Sequence, residues 1–146
     1  MKMIIRSGIG SLYLLLLVSC STLTINEIKQ VEVMYRHFQE QTLEEEYITE
    51  QEMSIFVKAI NNAKKLDSNK LIQSEPLVSI KIDLEGNDKQ HYHLWLTKDG
   101  KGYIQYLLPG KDGTYELKQN AVKNLTEFFS TKENIPLLAD DIEFQS

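Results

Sequence analysis

Val78-Ser79-Ile80-Lys81-Ile82-Asp83-Leu84 decides the fold, because apolar and polar residues alternate through it without a break. A period of two places Val78, Ile80, Ile82 and Leu84 on one face of a strand and Ser79, Lys81 and Asp83 on the other. Glu85-Gly86-Asn87-Asp88 is turn material, and the alternation resumes with Tyr92, Leu94 and Leu96 in a strand over 90–97. Lys98-Asp99-Gly100-Lys101 reverses the chain again into Gly102 to Leu108. Three consecutive strands joined by short turns predict an antiparallel meander with one dry face.

The flanking segments supply what that dry face needs. Upstream, Gln30-Val31-Glu32-Val33-Met34-Tyr35 alternates as a further strand, while Glu44 to Ile48 reads either as another strand or as a solvated helical turn. Thr49 and Glu52 have capping-box spacing, and Met53, Phe56, Val57, Ile60 and Ala63 recur at three and four, predicting an amphipathic helix from about Glu50 to Leu66. Residues 67–76 read as a loop. Downstream, Pro109 to Gly113 breaks the meander, Tyr115 and Leu117 suggest a short edge strand, and Val122, Leu125, Phe128 and Phe129 mark a second helix. Lys118 stands where a capping serine is expected. The last segment, Thr131 to Ser146, reads as a partly packed tail. The expected fold is therefore α+β, a mainly antiparallel sheet of four or five strands with both helices packed on one face.

The N-terminus has a separate logic. Lys2 and Arg6 precede a mostly apolar Ile9 to Val18, which is short for a bilayer span, and Leu17-Val18-Ser19-Cys20 then resembles a bacterial lipobox around the only cysteine of the chain. This organisation predicts a signal peptide over 1–19, a lipidated Cys20 and short tether over 20–27, and a single globular domain over 28–146. The resemblance to bacterial lipoproteins implies a diacylglyceryl group on the Cys20 sulfur, with palmitate-like chains holding the protein on the membrane at its extracytoplasmic face. Two or three acyl chains anchor stably where one binds marginally. Without a second cysteine no internal disulfide forms, so stability rests on packing.

Of 146 residues, removal of the first 19 leaves 127, enough for one domain with its own core. Loss of Lys2 and Arg6 leaves 14 basic residues against 21 acidic ones, a formal charge of −7. No basic tract interleaved with aromatics is present, which excludes a nucleic-acid module. The nucleophile elbow, the zinc-protease helix, the phosphate loop and the dinucleotide fingerprint are all missing from the sequence, so no catalytic residue and no cofactor is assigned.

One local constellation bears on ligand binding. In His91-Tyr92-His93-Leu94-Trp95, strand periodicity puts His91, His93 and Trp95 on one face, making them the candidate ligand-binding face. Two imidazoles fall short of the three or four ligands zinc requires, and His37 is distant in sequence, so no metal is assigned. The plainer reading has both histidines on a semi-exposed sheet face, with Trp95 covered by a helix or the tail; another has Trp95 with Tyr103 or Tyr106 in a binding surface.

The lipobox, the helix text Phe56-Val57-Lys58-Ala59-Ile60-Asn61-Asn62-Ala63-Lys64-Lys65, the strand Tyr92-His93-Leu94-Trp95-Leu96 and Tyr115-Glu116-Leu117 together resemble a group of small uncharacterised lipoproteins of Bacillus and related Firmicutes. The similarity covers most of residues 28–129. It departs at Lys118 and lacks a Gly-rich loop after Leu66. No catalytic residue is implied by it. The expected function is non-catalytic binding of an envelope protein by a membrane-anchored accessory, inhibitor or immunity-like lipoprotein; a small-ligand or metal-binding sensor and an envelope enzyme are the alternatives.

Overall fold

The computed structural model of the chain describes residues 24–36, 43–66, 70–108, 113–132 and 138–145. The expected signal peptide, Cys20, His37 and the Pro109 break lie outside the described residues. Strands β1 (Ile28–Tyr35) and β2 (Leu43–Tyr47) precede helix α1 (Glu50–Asn61); β3 (Lys64–Lys65), β4 (Val78–Leu84), β5 (Lys89–Leu96), β6 (Gly102–Tyr106) and β7 (Gly113–Glu116) precede helix α2 (Gln119–Ser130). The seven strands form one sheet in the order β2-β1-β4-β5-β6-β7-β3, with every neighbouring pair antiparallel.

The α+β class, the antiparallel sheet and the two helices stand as expected, but the sheet has seven strands rather than four or five. The additional pieces are those with little periodic signal. In β2 the alternation is drowned by Glu44-Glu45-Glu46, yet the segment pairs with β1 from Val31↔Tyr47 to Tyr35↔Leu43, so the strand alternative holds over the helical turn. β3 is two lysines long and closes the opposite edge on β7. A two-residue strand carries no readable alternation.

Helix α1 also stops earlier than Leu66. Asn61 and Asn62 end it because their amides compete for backbone groups. Asn62 Nδ2 donates to the Lys58 carbonyl at 2.8 Å, while the Asn61 amide accepts from Ile25 N at 2.6 Å and donates to Ile25 O at 3.0 Å. Two-sided pairing thus fixes the incoming chain to the helix end, and Ile25 is buried. Among the described residues packing begins at Ile25, inside the 20–27 segment expected to serve as tether. At its start α1 is capped by Thr49, whose Oγ1 accepts from Glu52 N at 3.4 Å. Helix α2 starts at Gln119 without a side-chain cap on Lys118, so burial of Ala121, Val122, Leu125 and Phe129 holds it.

The cross-strand rows show how the core is built. Val33, Ile80, Tyr92, Tyr106 and Gly113 stand in one row, and Tyr35, Val78, Leu94, Ile104, Tyr115 and Lys65 in the next. With Val31, Ile82 and Leu96 these rows meet the helices, giving one continuous apolar cluster that includes Phe56, Ile60, Leu125 and Phe129. Gly102 lies under α2: a Cβ there would stand 2.7 Å from Val122 Cγ2, so glycine permits the close approach of helix to sheet.

An aromatic group fills the β2 end of this core. Phe56 and Phe128 pack edge to face at 5.3 Å, Tyr47 and Phe128 at 5.0 Å, and Tyr35 and Phe129 at 6.0 Å. The hydroxyls of Tyr35 and Tyr47 donate to the Glu45 carboxylate, which satisfies polar tips carried in with the rings. Burial, first, and the neighbouring carboxylate push Tyr35 up to about 12. Phe128 is only half-buried, whereas Phe129 is 1% exposed and is the deeper anchor of α2.

Candidate functional site

The outer face of the sheet is defined by the residues between the core rows. Glu46, Glu32, Lys81 and His91 form one outer row, Glu44, Met34, Ser79, His93, Gln105 and Thr114 a second, and Trp95, Tyr103, Glu116 and Lys64 a third. Among the described residues only part of this face is covered. Ile72 and Phe144 form a bridge, Thr97 pairs with Ala139, and the segments around them lay Ile72, Ile142, Ala139 and Phe144 over Trp95 and Tyr103.

The three sequence-identified residues therefore have different environments. Trp95 is 1% exposed, and its indole N–H is shared between the carbonyls of Ser74 at 3.0 Å and Glu75 at 3.1 Å. Donor and ring are both committed to the fold, and the C-terminal tail is part of the cover. His93 is half-buried at the boundary, its ring edge-on to Trp95 at 5.8 Å. His91 is exposed. Tyr103 is under the tail with Phe144 at 5.4 Å, and Tyr106 lies on the other face, stacked on Tyr92 at 5.0 Å. The suggested surface of Trp95 with Tyr103 or Tyr106 is thus not assembled: two members are sealed beneath the tail and one is in the helix-side core.

What stays open is the β1–β4–β5 part of the outer face. A groove of about 150 Å³ runs there among Glu32, Met34, Arg36, Ser79, Lys81, His91, His93 and Leu107. Arg36 Nε donates to Ser79 Oγ at 2.8 Å, and Lys81 pairs with the Glu32 carboxylate. That hydrogen bond holds the Lys81 ammonium above its ordinary range. Burial, with Arg36 nearby, pushes His93 down to about 4, so the imidazole is neutral at neutral pH. Leu107, 40% exposed, is tied to β5 by its N–H donating to the His91 carbonyl at 2.9 Å.

Sequence periodicity placed His91 and His93 on this face but missed Arg36, Ser79, Lys81 and Glu32 as their neighbours. Alternation assigns each strand a polar face; it does not say which strands adjoin. The pairing of β1 with β4, separated by β2, α1 and β3 in the chain, brings these residues together. A second depression of about 370 Å³ lies between residues 25–28 and α1. A third, of about 580 Å³, lies between the β5–β6 turn and α2. Both carry polar side chains of their own, among them Lys98, Asn120 and Lys123 in the third and Glu50, Lys58 and Asn61 in the second, but neither includes the sequence-identified histidines. Among the described residues no group of three or more His, Cys, Asp or Glu side chains is placed to hold a metal ion, and no helix is long and apolar enough to cross a membrane.

No curated protein and no solved structure matches the chain. The sequence does match the family described as YhfM protein over residues 27–134, a span from the first bulged residues of β1 through α2, and the chain belongs to that family.

Proposed function

We propose that this YhfM-family chain is a lipid-anchored, extracytoplasmic lipoprotein that works by non-catalytic binding of a membrane-proximal envelope protein, as an accessory, inhibitor or immunity-like factor. The observation that carries the reading is the uncovered β1–β4–β5 strip, a surface with charged, aromatic-edge and apolar groups on a sheet stiffened by a full core behind it. Sheet-borne side chains hold their geometry better than loop-borne ones, which suits recognition.

Anchoring at Cys20 supports the same reading. Only Ser21 to Thr24 separate that cysteine from the buried Ile25, and four residues reach at most about 14 Å. A domain on so short a leash meets neighbours in the membrane before anything distant. The acidic balance of the mature chain favours discrete contacts over broad adhesion to anionic lipid. A small-ligand sensor is the second reading, favoured by the groove itself, whose about 150 Å³ suits a few heavy atoms.

Detergent partitioning with mass spectrometry of the mature N-terminus tests the anchor: a diacylglyceryl Cys20 as first residue is expected, and an unmodified Cys20 or retained Met1 overturns it. For the binding reading, a photo-crosslinking amino acid replaces His91 on the open strip or Glu127 on the exposed side of α2, in intact cells, with Cys20→Ala as anchoring control. One reproducible envelope protein captured from position 91 alone, and lost with Cys20→Ala, is the expected result. Equal capture from both positions, or none, counts against the proposal. A stoichiometric small molecule recovered with the purified protein instead favours the sensor.

A further inference from the structure

We propose that Arg36, braced by Ser79 and flanked by His93, is a carboxylate-binding site on the open sheet face. Arg36 is the only arginine of the chain beyond residue 6. It stands at the end of β1, where its N–H donates to the Leu77 carbonyl at 3.2 Å, and its Nε donates to Ser79 Oγ at 2.8 Å. Five guanidinium N–H groups less one leave four donors on the two terminal nitrogens, arranged as the fork that matches a carboxylate.

Ion pairing within the strip does not occupy this fork. Lys81, the other permanent cation of the groove, is already joined to Glu32. Among the described residues Arg36 has no carboxylate partner. His93 contributes a neutral imidazole, since its pKa is lowered to about 4, so it can donate or accept a hydrogen bond without adding charge. Arg36 itself carries one positive charge with no carboxylate in ion-pair contact among the described residues, which fits a monoanion; Glu44 and Glu46 of β2 share the outer face with Glu32 and weigh against a phosphate dianion. Met34 and Leu107 supply apolar walls, and about 150 Å³ is the liquid volume of roughly five waters, which admits a carboxylate with a short carbon chain. An aspartate or glutamate side chain of a partner and a free short-chain acid share this chemistry.

The inference deepens the binding reading above and rests on it for the choice of face. The full lipid-modified chain in detergent micelles is titrated with propionate, and with a blocked pentaglycine peptide carrying one central aspartate. Propionamide and the asparagine peptide are the uncharged controls. The side-chain Nε–H resonance of Arg36 reports occupancy by nuclear magnetic resonance. Saturable shifts with at least one carboxylate and none with its amide support the site; saturation by the peptide alone assigns a protein source, and by propionate alone a free acid. Arg36→Lys, which keeps the charge but loses the fork, is expected to weaken binding at least about tenfold, and Arg36→Gln further. Arg36 is exposed, so thermal melting should be unchanged in both variants. No saturation by either carboxylate, equal binding of acid and amide, or undiminished binding by Arg36→Gln overturns the site. If crosslinking from position 91 still captures its partner in Arg36→Gln, the binding reading stands while the carboxylate site falls.

Discussion

The two faces of one sheet are buried by different means. On the helix side, α1 and α2 press a continuous apolar cluster onto six strands, and the residues contributing most volume, such as Tyr92, Phe56 and Phe129, are almost wholly enclosed. On the other side, a few residues of the 70–76 segment and the C-terminal tail cover Trp95 and Tyr103, and among the described residues they leave the β1–β4–β5 strip partly exposed. Helices bring repeated stripes of apolar residues, whereas an irregular tail brings single anchors such as Ile142 and Phe144. The lesson is a division of labour: one face holds the fold, part of the other is locked by the tail over β5 and β6, and the remainder is the strip proposed for recognition.

Removing an anchor from the helix side should give the largest effect. Phe129→Ala empties a site in contact with Tyr35, Phe56 and Phe128 and is expected to cost about 3–5 kcal/mol, a large part of a typical domain's stability. Urea denaturation measures it. A loss under about 1 kcal/mol would mean that the helix face is not the main stabilising surface, and the contrast between the faces would break.

His93 lies at the line between the covered and open parts of the outer face, and its titration reports on that boundary. In the folded chain its pKa is about 4, against an ordinary 6.5 in the unfolded chain. Between these values the unfolded state binds more protons, so the contribution is fully present above about pH 6.5 and is lost as pH falls toward about 4. The loss is expected to reach no more than about 3 kcal/mol, reduced by the solvent that still reaches the ring. His93→Gln should remove this portion of the pH dependence. Stability measured by denaturant titration from pH 7 to 4 decides it, and parallel curves for the two proteins would place His93 on the open side of the boundary.

How legible this division is in the sequence depends on signal length. Val78 to Leu84 and Tyr92 to Leu96 alternate over several residues, and Phe56, Ile60, Leu125 and Phe129 repeat at helical spacing, so class, helices and inner core could be read. β3 could not, since Lys64-Lys65 has no pattern, and β2 was ambiguous because its inward Glu45 is a carboxylate whose role is to receive two tyrosine hydroxyls. For the site, periodicity put His91, His93 and Trp95 on one face, but that face is shared between tail and solvent. Which residues the tail covers is set by long-range contacts such as Ile72 with Phe144, which no local pattern encodes. Arg36 and Ser79, 43 positions apart, met only through strand order.

The tail's anchors should matter less than the helix core. Phe144 is half-buried against Tyr103, and Phe144→Ala is expected to cost about 1–2 kcal/mol. Its sharper signature is local: Trp95, the only tryptophan, should shift its fluorescence to the red as the cover loosens, while circular dichroism of the helices is unchanged. Native-state amide exchange should show Gln145 N–H, bonded to the Leu71 carbonyl at 2.8 Å, opening at lower free energy than the β4 and β5 amides. Exchange at one common free energy would show instead that tail and sheet unfold as one unit.

The smallest effect on stability is expected where the largest effect on recognition is proposed. Leu107 is 40% exposed at the rim of the open groove, and its contribution to the strand lies in its backbone N–H to the His91 carbonyl, which Leu107→Ser retains. Little apolar area returns to water on this change, so stability should move by less than about 0.5 kcal/mol. If the strip is the recognition surface, the same substitution takes away an apolar wall beside Arg36 and should reduce photo-crosslinking from position 91 while leaving urea midpoint and Trp95 fluorescence as they were. A midpoint shift larger than about 1 kcal/mol would put Leu107 among the structural residues and extend the lock across the open strip. Unchanged stability with unchanged crosslinking would confine the contact to the charged side of the groove, at Arg36 and Lys81.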